Sequence, residues 1–269
     1  ANAQGENTFH PLSKIKIDTT IPLLGIHDKD DIKINTDILS EQPYKHSIEA
    51  YRAILLQVII HEETHASAKN EDCNGSVKGK LTKIISDIKD KEVVLETAGF
   101  QKTIYKKNIH NLPSFDPKTS PSERVEFHSL NEGMTEKIAR QIFDVYLERT
   151  GDKKRYTDPD GAIVSLSLYQ NEVTFVDAFT EALSYVCELP KDTVWGGLMS
   201  AYMNGISLAK PEFEEFFTTT FGEIFTKDLR DKIALSPELL RTHLSQIQIS
   251  REQKKALTVT LEEMSKKKD

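Results

Sequence analysis

The sequence VIIHEETHASA, residues 58–68, ends the most apolar segment of the chain. Apolar or aromatic residues at three-to-four spacing lead into the motif, namely Ile48, Tyr51, Leu55 and Ile59. This spacing predicts an α-helix, and further apolar residues on its other faces predict that the helix is buried. His61 and His65 then lie on one face, because residues four positions apart are neighbours on a helix.

His61, Glu62 and His65 form an HExxH motif. Imidazole and carboxylate groups in a buried helix are costly unless something pairs them. The pattern predicts a Zn²⁺ site in which both histidines are ligands and Glu62 is the general base on a zinc-bound water, the arrangement of the zincins. The alternative is that HEETH is the solvated end of an amphipathic helix in a protein without metal.

A catalytic zinc ion usually has three protein ligands. The metzincin pattern would need glycine and histidine where this chain has Ala68 and Glu71, so that pattern is absent. The string SLNEGMTEKIAR, residues 129–140, is the stronger candidate. Its Glu132 and Glu136 stand four positions apart in a predicted helix and therefore share a face.

HExxH followed by a helix with the string LNEG resembles the gluzincins, and the LNEGxTE form is similar to zincin-like proteins of bacteria. The resemblance implies that Glu132 is the third zinc ligand and that Glu136 accepts the second ring N–H of His61. It also implies metal-assisted hydrolysis of a protein or peptide substrate. The GAMEN string of the related aminopeptidases is absent, so an endopeptidase is expected rather than an aminopeptidase.

Peptide hydrolysis also needs a donor for the oxyanion that forms on the scissile carbonyl. Tyr169 is the first candidate, because it falls just before a predicted helix downstream of Glu132. His128 is the second candidate and Tyr105 the third. The alternative to a catalytic role is a purely structural one: a packed ring for either tyrosine, or a surface position for the histidine.

The chain of 269 residues predicts a single α+β domain, predominantly helical and zincin-like. Segments rich in β-branched residues at 15–26 and 31–39 predict two or three short strands. The expected order is a strand-rich part, the active-site helix, an insertion with a β-hairpin joined at TAGF, and a helical part, over residues 1–44, 45–68, 69–130 and 131–269.

Composition excludes several classes of protein. The net charge of −7 and pI of about 5.7 argue against a broad nucleic-acid interface. No apolar run is long enough to span a membrane. Cys73 and Cys187 are too few for a disulfide scaffold, and a buried thiol is expected for Cys187, with a disulfide as the alternative. The oligomeric state is left open.

The expected substrate site is an edge strand beside the active-site helix, which would add an extended peptide to the sheet. IKID, residues 15–18, or DIKIN, residues 31–35, could supply that edge, with the insertion as a wall or lid. The competing function is a zincin-fold scaffold that keeps its metal without turnover.

Overall fold

The computed structural model describes residues 14–28, 31–40, 48–68, 70–72, 92–106, 123–157, 169–204, 208, 213, 215–216 and 249–266. Within them the fold is α+β and mostly helical, which confirms the predicted class. The described residues form two compact units. The first contains residues up to 67 and 134–170, and the second contains residues 68–133 and those from 171 onward.

The helices are α1 (Thr36–Ser40), α2 (Ile48–Ser67), α3 (His128–Thr150), α4 (Gln170–Cys187), α5 (Lys191–Asn204) and α6 (Arg251–Lys266), with a short 3-10 turn at Asp152–Lys154. The strands are β1 (Lys14–Ile17), β2 (Gly25–Asp28), β3 (Asp31–Ile34), β4 (Asn70–Asp72), β5 (Glu92–Ala98), β6 (Gln101–Lys106) and β7 (Glu123–Glu126). Most of the predicted helices between residues 205 and 248 lie outside the described residues.

The first unit contains a sheet of order β1-β3-β2, in which β1 is parallel and β2 antiparallel to β3. Helix α2 packs against β2 and β3. Ile32 and Ile34 of β3 are buried in one core with Ile54 and Val58 of α2 and Phe143 of α3. Helix α2 is therefore fixed on the sheet by burial of its apolar residues.

Two expectations for this sheet are wrong. The segment DIKIN cannot supply an edge, because β3 is the central strand and pairs with β1 and β2. Residues 36–40 form helix α1 rather than continuing a strand. The side chain of Asn35 ends the strand: its Oδ1 accepts the backbone N–H groups of Asp37 and Ile38, as an N-cap does.

The second unit contains an antiparallel sheet of order β4-β5-β6-β7. The predicted hairpin is confirmed as β5 and β6, joined by Gly99 and Phe100. Strands β4 and β7 were not expected from the sequence, since both are polar. They lie at the ends of the described sheet and pair through backbone groups, which a side-chain pattern does not reveal.

Helices α5 and α6, and α4 from Asn171 onward, also belong to the second unit, where α5 packs against α6. Helix α6 begins with a reciprocal cap: the Ser250 N–H donates to Gln253 Oε1 and the Gln253 N–H donates to Ser250 Oγ. Cys187, at the end of α4, is a buried free thiol, as expected. Cys73 lies outside the described residues.

Candidate metal centre

Helix α2 carries the HExxH residues into the interior of the first unit. His61 and Glu62 are buried, and His65 is half-buried near the end of the helix. The two imidazole rings lie 4.9 Å apart, centre to centre, with their planes at 75°. The two histidines therefore do share a helix face, with their rings edge to face.

Helix α3 begins at His128, three residues earlier than the expected helical segment. Phe127 precedes it with a left-handed backbone, at φ 60°, and the Asn131 N–H donates to the Phe127 carbonyl over 2.9 Å. Glu132 and Glu136 follow one turn apart on this continuous helix, and each is 7% exposed. Buried carboxylates of this kind require charged or hydrogen-bonding partners.

His61, His65 and Glu132 each bring one ligand atom into a group whose members lie within 4.8 Å of one another. Two imidazoles and one carboxylate match the donor set of catalytic zinc sites. The same donors also suit other first-row divalent ions. The group therefore fits a transition-metal ion, and its geometry alone does not select zinc.

Glu136 lies against the first histidine of the motif. Its Oε2 is 2.9 Å from His61 Nδ1, and its Oε1 accepts the Nε–H of Arg140 over 2.8 Å. A carboxylate on one ring nitrogen fixes the ring orientation and the tautomer of a ligating histidine. The structure thus places the Glu136 carboxylate in contact with the His61 ring.

The second histidine has a partner that the sequence did not suggest. Thr135 Oγ1 lies 3.2 Å from His65 Nδ1, and Thr135 is fully buried. Helix α3 therefore contacts the Nδ1 atom of each histidine, through Glu136 and Thr135. Thr135 directly precedes Glu136, so one turn of α3 orients both imidazoles.

The neighbours of Glu132 in the LNEG string also have defined contacts. Asn131 Oδ1 accepts the backbone N–H groups of Phe100 and Gln101, at 2.9 and 3.3 Å, and so holds the hairpin turn. A Cβ on Gly133 would lie 2.5 Å from the Glu172 carbonyl oxygen, so only glycine lets α3 and α4 approach this closely. Neither of these contacts was predicted from the sequence.

A cleft of about 220 Å³ opens beside His61 in the first unit. Strand β2 and the turn before it form one wall, and the other lining residues are Ile38, Gln57, Val58, His61, Glu62, Glu136 and Tyr169. A Cβ on Gly25 would lie 2.7 Å from Val58 Cγ1 and 3.0 Å from Glu62 Oε1. The start of β2 therefore touches the motif glutamate directly, because Gly25 has no side chain.

The three candidate oxyanion donors are in different settings. Tyr169 lines the cleft and stacks on His61, with ring centres 5.3 Å apart and planes at 9°; its backbone is left-handed at φ 56°. His128 is half-exposed, and its Nδ1 lies 2.9 Å from Gln101 Oε1 and 3.7 Å from Glu132 Oε1. The side chain of Tyr105 lies outside the described residues.

Comparison of the chain with protein families, with curated proteins and with solved structures found no match. None of the helices in the described part of the chain is both long and apolar enough to cross a membrane.

Proposed function

We propose that this chain is a zinc-dependent peptidase of the gluzincin type, with a zincin-like fold and endopeptidase activity. The observation that carries the proposal is the group formed by His61, His65 and Glu132, whose ligand atoms lie within 4.8 Å of one another. Glu62 lies next to the first of these ligands on a buried helix and lines the adjacent cleft. This combination is the donor set and base of a hydrolytic zinc site.

His61, His65 and Glu132 would hold the Zn²⁺ ion. When bound, zinc supplies a Lewis acid that polarises the scissile carbonyl and lowers the pKa of a water. Glu136 and Thr135 act on the protein side, since their contacts with the two Nδ1 atoms orient the imidazoles.

Glu62 is the general base in this proposal. It takes a proton from the attacking water as the water oxygen bonds to the carbonyl carbon, and it delivers that proton to the leaving nitrogen when the C–N bond breaks. Tyr169 and His128 are the candidates for the oxyanion donor. Tyr169 is favoured, because it lines the cleft beside His61, whereas His128 is half-exposed.

The substrate in this proposal is an extended peptide that pairs with β2. This strand lies at an edge of the described three-stranded sheet and lines the cleft next to Glu62. Backbone pairing with an edge strand binds a peptide largely independently of its sequence, and pockets then select side chains. Pro22, Leu23, Leu24 and Val58 line the cleft, which favours an apolar side chain close to the scissile bond.

The test measures bound zinc and peptide cleavage in the wild type, in Glu62→Gln and in the matched control Glu63→Gln. Glu63 is half-buried beside Glu62 and is not among the lining residues of the cleft. We expect about one zinc ion in all three proteins. Cleavage of a mixed peptide library should fall by about 10²- to 10⁴-fold in Glu62→Gln alone.

Two other outcomes would contradict the proposal. Zinc in all three proteins with no cleavage by any of them would support the alternative of a metal-retaining scaffold. Absence of zinc from the wild type, at a metal concentration that loads known zinc peptidases, would remove the metal centre itself.

A further inference from the structure

Arg140 connects two parts of the first unit that both contact His61. Its Nε–H donates to Glu136 Oε1 over 2.8 Å, and an Nη1–H donates to Gln170 Oε1 over 2.9 Å. Glu136 contacts His61 through its other oxygen. Gln170 directly follows Tyr169, whose ring stacks on the same histidine. These contacts form a closed ring that begins and ends at His61.

The contact with Gln170 lies next to a residue with a left-handed backbone. Tyr169 has a left-handed backbone, at φ 56°, and Gln170 is the first residue of α4. A residue other than glycine keeps this conformation only where the surrounding contacts fix it. The stack on His61 acts on the ring of Tyr169, and the Arg140 contact holds the next residue.

Stabilisation of α3 alone does not account for this arrangement. Arg140 and Glu136 are four residues apart on one helix, and such pairs stabilise helices modestly wherever they occur. Gln170, however, is 30 residues along the chain and on another helix. The planar guanidinium directs two N–H groups to two separate acceptors, which the single ammonium of lysine does not reproduce.

We propose that Arg140 is a positioning residue of the metal centre. It holds Glu136 and the Tyr169–Gln170 turn in one arrangement, and through them it fixes the ring plane of His61. The inference rests on the proposed metal centre and deepens it. Because partners behind a ligating histidine affect both metal affinity and activity, Arg140 should matter to metal binding without touching the metal.

The test measures metal binding rather than peptide cleavage. Zn²⁺ affinity is measured by competition with a chelator, and the visible spectrum of the Co²⁺-loaded protein reports ligand geometry. The variants are Arg140→Met, Arg140→Lys, Gln170→Met and Gln170→Glu, where glutamate keeps an acceptor of equal length. We expect about tenfold weaker zinc binding and an altered Co²⁺ spectrum in both methionine variants. Gln170→Glu should resemble the wild type, and Arg140→Lys should not.

A double-variant cycle separates this role from simple helix stabilisation. If Arg140 acts partly through Gln170, then the double variant should bind zinc less weakly than the product of the two single effects predicts. Additive losses would overturn the inference, as would wild-type affinity and spectrum in both methionine variants. If Arg140→Met fails to fold, Gln170→Met still decides the question, because it removes the acceptor Oε1 of the second contact and keeps both Arg140 and Glu136.

Metal binding by the wild type distinguishes failure of the proposed metal centre from failure of the proposed role of Arg140. A wild type that binds neither Zn²⁺ nor Co²⁺ would overturn both the metal centre and the role of Arg140. A wild type that binds metal, together with unaffected variants, would overturn the role of Arg140 alone.

Discussion

Replacement of Gly25 by alanine tests whether the position of Glu62 controls catalysis. The new Cβ would lie 2.7 Å from Val58 Cγ1 and 3.0 Å from Glu62 Oε1, where ordinary contacts begin at 3.4 Å. Val58 is buried in the core and has little room to move. The strand or the glutamate side chain must therefore shift, by a few tenths of an ångström up to about 0.7 Å.

The expected effect is mainly on turnover. A misplacement of about 1 Å in a catalytic arrangement can cost about 100-fold in rate, so kcat should fall by about 10- to 100-fold. This corresponds to about 1.4–2.7 kcal/mol of activation free energy. Overpacking should also lower the free energy of unfolding by about 1–3 kcal/mol. Zinc binding should be unchanged, because the contacts of the added Cβ are with Val58 and Glu62 rather than with the proposed ligands.

The assay measures kcat, KM and zinc content for Gly25→Ala beside the control Gly196→Ala. Gly196 lies in α5, and a Cβ there meets no atom within 4 Å. The control should keep wild-type kinetics. A folded, zinc-loaded Gly25→Ala protein with kcat within twofold of the wild type would show that the contact of β2 with Glu62 does not set the rate.

Three further predictions concern affinity, stability and thiol reactivity. Glu136→Ala should weaken zinc binding by about 10- to 100-fold in chelator competition, and unchanged affinity would mean that its contact with a ligand has no effect. Gly133→Ala should lower the free energy of unfolding in urea by about 1–3 kcal/mol, since its Cβ would lie 2.5 Å from the Glu172 carbonyl. Gly196→Ala should instead be neutral or stabilising by up to about 1 kcal/mol, and equal effects would contradict the packing argument. Burial raises the pKa of the Cys187 thiol, so at pH 8 a smaller fraction of native than of unfolded molecules carries the thiolate. Because the thiolate is the reactive form, mass spectrometry should find slower alkylation of this residue in the native protein.

The sequence predicted those parts of the site that depend on helix geometry. The spacing of His61 and His65 determines that they share a face of α2, and the spacing of Glu132 and Glu136 does the same on α3. The hairpin was predictable too, because its alternating strands meet at a short turn with glycine. These features depend on residues that are close together in the chain.

The remaining features depend on contacts between distant segments. Thr135 contacts the imidazole of His65, and Asn131 accepts a backbone N–H of the hairpin turn. The apolar pattern of helix α3 does not reveal either partner, because both lie on distant segments of the chain. Residues 36–39, which were expected to belong to a strand, are helical because Asn35 caps helix α1. Edge strands β4 and β7 pair through their backbones and carry no apolar alternation. The need for a glycine at position 25 follows from the packing of β2 against Val58 and Glu62 of α2, which the sequence does not reveal.

The proposed function requires that His61, His65 and Glu132 hold one metal ion. Anomalous diffraction at the zinc edge, from crystals of the wild-type chain prepared with one equivalent of Zn²⁺, tests it most directly. We expect a single dominant peak at about 2.0–2.2 Å from one ring nitrogen of each histidine and from an oxygen of Glu132. A peak elsewhere, or no peak among these three side chains, would contradict it.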